Sequence, residues 1–300
     1  MKKTSLLAVC LIVLFFTMIL SVMAQTSDSE VSVGVDMKSD PGILPTNPFY
    51  FIKSWSRSIR QTLTFDPISK AKLELQFANE KIAEAKKVQD IQPLNTDKIV
   101  DAVKNYKDTQ EKLKERLQNL GGNADSVEVN ALISEVVNKS IKHERVLDEM
   151  AMTKKDNVDI QSAIESTREV IDNNMVEASL RDLADVFANT LENELNKSAT
   201  EEFGNLKSIE TIERVIQKVP ENLRPALEKV RDNTTKRLED EIKYIYEKGG
   251  ANSLRQAMQK LPSVGARGIM IFNRIKPELN NKIVEVINST EILPIDKPTM

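Results

Sequence analysis

Apolar residues recur at alternating spacings of three and four along most of the chain, the pattern of amphipathic α-helices. The clearest stretch runs from Pro67 to about Gln89, where the apolar positions form a narrow heptad seam. Alanine occupies every second position of this seam, which allows a partner helix to approach closely. The seam consists of Ile68, Ala71, Leu75, Ala78, Ile82 and Ala85.

Three further long helices are predicted after this seam. Apolar stripes support helices over 96–120, over about 125–152 and over about 156–195. The last would be about 60 Å long if it were continuous, at 1.5 Å per residue. Its apolar register slips near Asn173 and Asn174, so we expect a kink or break there. The predicted N-caps of the long helices include Asp66, Thr96 and Asp125.

Shorter helices, interrupted by proline and glycine, follow the long ones. Their apolar stripes end at Pro220, at Gly249–Gly250 and at Pro262, after a polar stretch at 196–205. We therefore predict an all-α fold: long antiparallel amphipathic helices, as a bundle or coiled-coil-like assembly, then shorter proline-punctuated helices. The long helices can close on themselves or on another copy. The predicted domains are a long-helix bundle at 49–197, a C-terminal helical subdomain at 206–290 and a disordered tail at 291–300.

The N-terminal segment has the layout of a secretory signal. Two lysines precede an uncharged apolar run from Leu6 to Leu20, and Val22 and Ala24 offer the small residues that a signal peptidase reads. The run is also close to the roughly 20 residues that span a bilayer. Residues 1–24 are thus predicted to be a signal peptide or an N-terminal membrane anchor. Residues 25–48 are predicted to be a flexible linker that contains proline.

The composition argues against several classes of function. The 42 Lys+Arg and 45 Asp+Glu residues are interspersed, which gives no electrostatic footprint for nucleic acid. Cys10 is the only cysteine and lies in the N-terminal apolar run, so the rest of the chain has no disulfide or thiolate metal site. His143 is the only histidine, which excludes a multi-histidine metal site within one chain. We expect it to be a partly exposed helix residue.

Sequence motifs of phosphate loops, nucleophile elbows and calcium loops are missing from the chain. We accordingly predict no enzymatic activity, no cofactor and no small-molecule substrate. Four Asn-x-Ser/Thr sequons are possible glycosylation sites in an exported protein. They lie at Asn138, Asn196, Asn233 and Asn288.

The predicted helix over 49–64 is the best candidate for a functional surface. It carries one apolar stripe and one basic stripe, and its position after the linker suits contact with a membrane interface or a partner. Alternatively, Trp55 and Ile59 cap the core of the bundle. The candidate surface residues are Lys53, Trp55, Arg57, Ile59 and Arg60.

Residues 44–88 carry a family resemblance. Leu44-Pro45, Pro48-Phe49-Tyr50 and Phe65-Asp66-Pro67, followed by the alanine seam, resemble the domain-of-unknown-function family 5667, exported helical proteins of archaea and bacteria. The resemblance implies a signal or anchor, a proline-rich entry and an antiparallel helical assembly. It implies no activity and no catalytic residues. Leu63-Thr64 also begins the motif of periplasmic helical chaperones, but Pro67 stands where that motif requires glutamine.

Together these features predict a non-enzymatic exported protein of the cell envelope, secreted or anchored by its N-terminal helix. It would act through helix-mediated binding as a scaffold, adhesion or sensor ectodomain, with a protein partner or by self-association. The alternative is an extracytoplasmic chaperone or stress protein that binds unfolded clients. Ten methionines motivate the alternative, because methionine-bearing faces adapt to varied clients.

Overall fold

A computed structural model describes residues 41–120, 126–180, 184–199, 203–259, 265–279 and 281–290. These residues form helices and turns and contain no strand, which confirms the all-α prediction. The predicted signal or anchor (1–24), residues 25–40 of the predicted linker and the predicted tail (291–300) lie outside them. The helices are α1 (Tyr50–Leu63), α2 (Pro67–Ile91), α3 (Thr96–Gln118), α4 (Val127–Thr153), α5 (Val158–Ser179), α6 (Ala184–Ser198), α7 (Gly204–Lys218), α8 (Arg224–Met258), α9 (Gly265–Ile275) and α10 (Asn281–Asn288).

Helices α2 to α5 form a four-helix bundle in which α2 packs on α3, α3 on α5, α5 on α4, and α4 on α2. Lys154, just after α4, donates to the carbonyl of Pro93, just after α2, so α2 and α4 run in the same direction. Gln118 at the end of α3 donates to Glu177 near the end of α5, so these two helices also run together. Helices that follow one another in the chain are antiparallel, and α3 and α4 lie at diagonally opposite corners of the bundle.

The long helices begin at side-chain caps. Asp66 is the predicted cap of α2, and its carboxylate accepts a hydrogen bond from the Ser69 amide at 2.7 Å. The cap of α3 is Asn95 rather than Thr96, because the side-chain oxygen Oδ1 of Asn95 accepts a hydrogen bond from the Lys98 amide. The cap of α4 is Ser126 rather than Asp125, which lies outside the described residues. The predicted caps of α3 and α4 were thus each wrong by one residue.

The predicted alanine seam of α2 is the buried side of that helix. Ala71, Ala78, Ile82 and Ala85 are each 0% exposed, whereas Ile68 at the first turn is only partly buried. The other long helices contribute the apolar stripes that their sequences predicted. These include Ile99, Tyr106 and Leu113 in α3 and Leu132, Val136 and Met150 in α4.

The predicted break at Asn173–Asn174 is wrong. Helix α5 continues to Ser179, and α6 begins at Ala184. Asn174 is 0% exposed, and its amide nitrogen donates to the carbonyl and the side-chain oxygen of Gln110 on α3, at 3.0 and 2.6 Å. The apolar register slips there because the bundle interior contains a polar pair.

Two hydrophobic clusters are present among the described residues, and both include side chains of α7 and α8. The first hydrophobic cluster extends from the bundle to Ile212 and Val215 of α7 and to Leu227 and Val230 of α8. The second cluster joins the other ends of α7 and α8 to α9 and α10. Gly250, where the sequence predicted a helix end, produces a kink within α8, since its φ of 64° and ψ of −164° favour glycine.

Candidate functional site

Helix α1 is attached to the bundle through charged side chains. It lies antiparallel to α2, with Tyr50, Lys53 and Arg57 over the buried carboxylate of Glu84. This carboxylate accepts from Tyr50 Oη at 2.7 Å and from Arg57 Nη2 at 2.8 Å, and pairs with Lys53 Nζ at 2.6 Å. Arg57 also donates to Glu80 at 2.6 Å. We call these five residues the α1–α2 charge cluster.

The electrostatics of this cluster favour an ionised Glu84. Burial acts to raise the pKa of Glu84, but the hydrogen bond from Lys53 and the charge of Arg57 outweigh burial and lower the pKa below its usual value. Burial, together with the negative charge of Glu84, raises the pKa of Tyr50. The phenol therefore remains a neutral donor to a charged acceptor.

The polar contact continues along the whole of α1. Arg60 donates to Gln76 at 3.0 Å, and Gln61 donates to Glu74 at 2.7 Å. The guanidinium groups of Arg57 and Arg60 lie 5.8 and 5.4 Å from the ring centroid of Phe77. The side of α1 that touches the bundle is thus its basic side.

The opposite side of α1 is apolar and exposed. At 100° per residue, Phe51, Ile52, Trp55, Ile59 and Leu63 share the side opposite Arg57. Phe51 and Trp55 are each 65% exposed, Leu63 66% and Ile52 48%, while Ile59 is half-buried. We call these five residues the α1 apolar face. Two further exposed aromatic residues, Phe49 and Phe65, flank the helix at its two ends.

The structure divides the predicted surface residues into two groups. Lys53, Arg57 and Arg60 contact the bundle, whereas Trp55 is exposed on the opposite side. The alternative in which Trp55 caps the core is therefore wrong. Sequence reasoning left Phe51 out of the candidate surface, although its spacing from Trp55 placed it beside that residue. It also missed Glu84, because nothing local marks one glutamate of α2 as buried.

The chain enters this site through hydrogen-bonded turns rather than the flexible linker predicted up to residue 48. The Asn47 amide donates to the Leu44 carbonyl at 2.9 Å, and the Tyr50 amide donates to the Asn47 carbonyl at 3.0 Å. Lys53 Nζ donates to the Pro41 carbonyl at 2.6 Å. The first described residue thus lies against α1.

A second buried charge cluster joins α7 to the bundle. Arg214 of α7 lies between Glu144 of α4, at 2.9 Å, and Asp172 of α5, at 3.1 Å. Arg168 of α5 approaches Glu144 at 3.5 Å. Burial raises the pKa of Glu144 to about 7 against the attraction of Arg214 and Arg168, and the nearby Asp172 adds to the rise. Among the residues that the structure describes, none forms a hydrogen bond with the buried Glu144 Oε1, which fits a carboxyl group that binds a proton readily.

His143 is 0% exposed, which overturns the expectation of a partly exposed histidine. Its Nδ1 lies 2.8 Å from Tyr106 Oη and 3.2 Å from Gln110 Nε2, and its Nε2 lies 3.4 Å from Asn79 Oδ1. Burial lowers the pKa of His143 to about 3, and the charges of Lys139 and Lys142 act in the same direction. His143 is therefore a neutral member of a polar network inside the bundle.

The predicted glycosylation sites differ in accessibility. Asn138 is buried in α4 and its amide donates to Glu194, which leaves no room for a glycan in the folded state. Asn196, Asn233 and Asn288 are exposed, and their glycosylation stays a prediction.

The described residues offer little else for ligand chemistry. They contain no group of three or more His, Cys, Asp or Glu side chains able to hold a metal ion. An open cleft of about 370 Å³ lies between α3 and α5 and is lined mainly by polar side chains. Within the same part of the chain, no helix combines the length and apolarity needed to cross a membrane.

The fold and the site define an all-α helical protein with a peripheral amphipathic helix bound through its charged side. Residues 42–149, from the entry turns through most of α4, match the family model described as "Domain of unknown function (DUF5667)". The resemblance found at 44–88 is thereby confirmed over a longer segment. No curated protein and no solved structure matched the chain.

Proposed function

We propose that this is a non-enzymatic, exported protein of the cell envelope that acts by binding, and that the α1 apolar face is its binding surface. The observation that carries the proposal is the orientation of α1. A helix at the edge of a globular protein normally turns its apolar side inward. Here Arg57 and Lys53 hold the basic side inward, and Trp55 and Leu63 face solvent.

Export is proposed from the N-terminal sequence, in which two lysines precede the apolar run from Leu6 to Leu20. The proposal assigns no reaction to the protein. It assigns instead a role as scaffold, adhesion or sensor ectodomain in which a partner covers α1. Large exposed apolar patches on otherwise soluble surfaces mark interaction sites.

The test is photo-cross-linking in cells of the native host. A photoreactive amino acid replaces Leu63 in a C-terminally tagged full chain, and a matched variant carries it at Leu94, which is 95% exposed in the turn between α2 and α3. We expect added protease to reach the tag when the outer barriers of the cell are opened and the cytoplasmic membrane is left intact. We also expect an adduct with protein or lipid to form from position 63 but not from position 94. A cytoplasmic tag, or equal labelling from both positions, would refute the proposal.

The same exposed face also supports the chaperone alternative. A holdase binds unfolded clients through exposed apolar surface, and α1 presents such a surface. The methionines add little to this alternative. Met150, Met175 and Met258 are 0% exposed, and the exposed Met152 and Met270 lie in α4 and α9 rather than on α1. The distinguishing assay measures light scattering from a heat-aggregating client. Suppression by the native chain near equimolar ratio, lost in a variant with Phe51→Ser and Leu63→Ser, would favour the chaperone.

A further inference from the structure

We propose that the α1 apolar face binds the interface of a lipid bilayer, with α1 lying parallel to the membrane surface. This inference rests on the proposed function, because it names the partner of the same surface. An interfacial helix needs an apolar side that enters the boundary between headgroups and acyl chains by about 5–10 Å. Trp55 and Phe51 supply aromatic rings suited to that depth, and Ile52 and Leu63 supply aliphatic area.

The distribution of charge supports a membrane. Residues 41–65 contain no aspartate or glutamate, so no carboxylate on this segment would be forced toward lipid phosphates. Lys53 and Arg57 pair with Glu84 and Glu80 on the opposite side of the helix. The face that would enter the interface is therefore uncharged, and binding should depend on apolar area more than on anionic lipid.

The length of chain between α1 and the predicted anchor limits how far apart the two can be. Lys53 holds the Pro41 carbonyl against α1. The 16 residues 25–40 separate Pro41 from Ala24, the end of the predicted signal or anchor, and span at most about 55 Å when fully extended. If residues 1–24 are retained in the membrane, α1 stays within that distance of the bilayer, so its local concentration at the interface is high.

Trp55 provides the test, because it is the only tryptophan of the chain. The purified full-length chain is reconstituted into phosphatidylcholine vesicles with and without phosphatidylglycerol, some of them containing lipids brominated at different depths of the acyl chain. Trp55 is the source of all tryptophan fluorescence, so membrane insertion of residues 1–24, which contain no tryptophan, adds no signal of its own. We expect a blue-shifted emission and about twofold quenching by the bromines nearest the headgroups, with less quenching by deeper ones.

A matched pair of variants keeps Trp55 in place. Ile52→Ser with Leu63→Ser removes aliphatic area from the face, and we expect lipid quenching to fall to about one third or less. The control, Val158→Ser with Leu94→Ser, removes residues that are 76% and 95% exposed at other sites and should quench like the native chain. Raising the salt concentration about tenfold should change the quenching by less than about twofold, because the face is uncharged.

A water-like emission of Trp55 in all vesicles, with full quenching by iodide, would overturn the membrane inference. So would self-association of the native chain, measured by sedimentation, that the Ile52→Ser and Leu63→Ser variant loses while lipid has no effect. If lipid quenching is missing and position 63 still cross-links to one protein in cells, the inference fails and the proposed function stands. If both signals are missing, both fail.

Discussion

Arg57 of α1 and Glu84 of α2 form an ion pair at 2.8 Å that decides which side of α1 faces the bundle. Glu84 is nearly inaccessible, with its side chain 1% exposed, and Arg57 is 10% exposed. Within α2 itself, Lys81 approaches the Glu84 carboxylate at 3.6 Å, whereas Lys53 and Arg57 of α1 lie at 2.6 and 2.8 Å. A buried carboxylate without close cations would be costly, so the basic side of α1 packs at this position. The apolar side of the same helix is left exposed as a consequence.

The first prediction concerns this pair. Arg57→Met keeps the length of the side chain but removes its charge and its hydrogen bonds to Glu80 and Glu84. Lys53 and Lys81 still pair with Glu84 in this variant, so the loss is that of hydrogen bonds to a charged group, about 1.5–3 kcal/mol. We expect this loss to appear as local opening of α1. Amide hydrogen exchange followed by mass spectrometry should show α1 exchanging about 10- to 100-fold faster, with α2 to α5 unchanged.

Lys86→Met is the matched control for Arg57→Met. Lys86 pairs with Asp90 one turn away in α2, and Asp90 is 51% exposed. Such a pair contributes less than about 0.5 kcal/mol, so exchange in α1 should remain as in the native chain. Equal exchange in both variants would mean that Arg57 does not hold α1.

The second prediction is a dependence of stability on pH at Glu144. Its pKa is about 7 in the folded state and 4.5 in the reference state, so the folded protein binds the proton more tightly. The contribution of Glu144 to the unfolding free energy is then fully present below about pH 4.5. It decreases by about 3 kcal/mol as the pH rises to about 7, at 1.36 kcal/mol per pKa unit.

Urea denaturation of native chain and Glu144→Gln at several pH values measures this contribution. The amide of the variant cannot titrate, so the stability of Glu144→Gln relative to the native chain should increase as the pH rises from about 4.5 to 7. Glu149→Gln, a change on the exposed side of α4, serves as the control and should give a constant difference. A constant difference for Glu144→Gln as well would mean that Arg214 keeps Glu144 charged throughout.

His143, which precedes Glu144, should make the unfolding free energy depend on pH in the opposite direction. His143 has a pKa of about 3 in the folded state against an ordinary value of 6.5, so the unfolded chain binds the proton more tightly. Its contribution is fully present above about pH 6.5 and decreases by about 4 kcal/mol as the pH falls toward 3. His143→Gln should therefore become more stable relative to the native chain as the pH falls.

Because Glu144 and His143 act in opposite directions between about pH 4.5 and 6.5, their contributions should nearly cancel in the native chain. The double variant His143→Gln with Glu144→Gln should show neither slope. The assignments of a raised pKa to Glu144 and a lowered pKa to His143 would both be contradicted by one result. In that result, the native chain loses stability steeply at one end of this pH range, and each single variant shows the same pH dependence as the native chain.

The regular part of the fold could be predicted from the sequence, but its polar interior could not. The alternating spacings of three and four identified the buried seam of α2, because the periodicity of apolar residues is visible within a short stretch of sequence. The contacts of Asn174 with Gln110 and of His143 with Tyr106 join residues 64 and 37 positions apart. No local pattern records such pairs, and a buried polar pair therefore resembled a helix break.

The orientation of α1 could not be predicted from the sequence for a related reason. Its apolar and basic stripes were both visible, and an apolar stripe ordinarily packs inward. Which stripe packs inward depends on Glu84, a residue of α2 that is buried by tertiary contacts. The sequence identified the helix and its two sides, while the structure identified which side is available to a partner.

The last prediction tests how closely the helices approach at the alanine seam. Ala78 is 0% exposed in the interior of the bundle, where a larger side chain must displace its neighbours. We expect Ala78→Leu to lower the unfolding free energy by about 1–3 kcal/mol, measured by urea denaturation. Lys87→Leu places the same side chain on the exposed side of α2 and should change stability by less than about 0.5 kcal/mol. An Ala78→Leu variant as stable as Lys87→Leu would show that the interior can accommodate a larger side chain at this position. Close approach of the helices would then not explain why alanine occupies every second position of the seam.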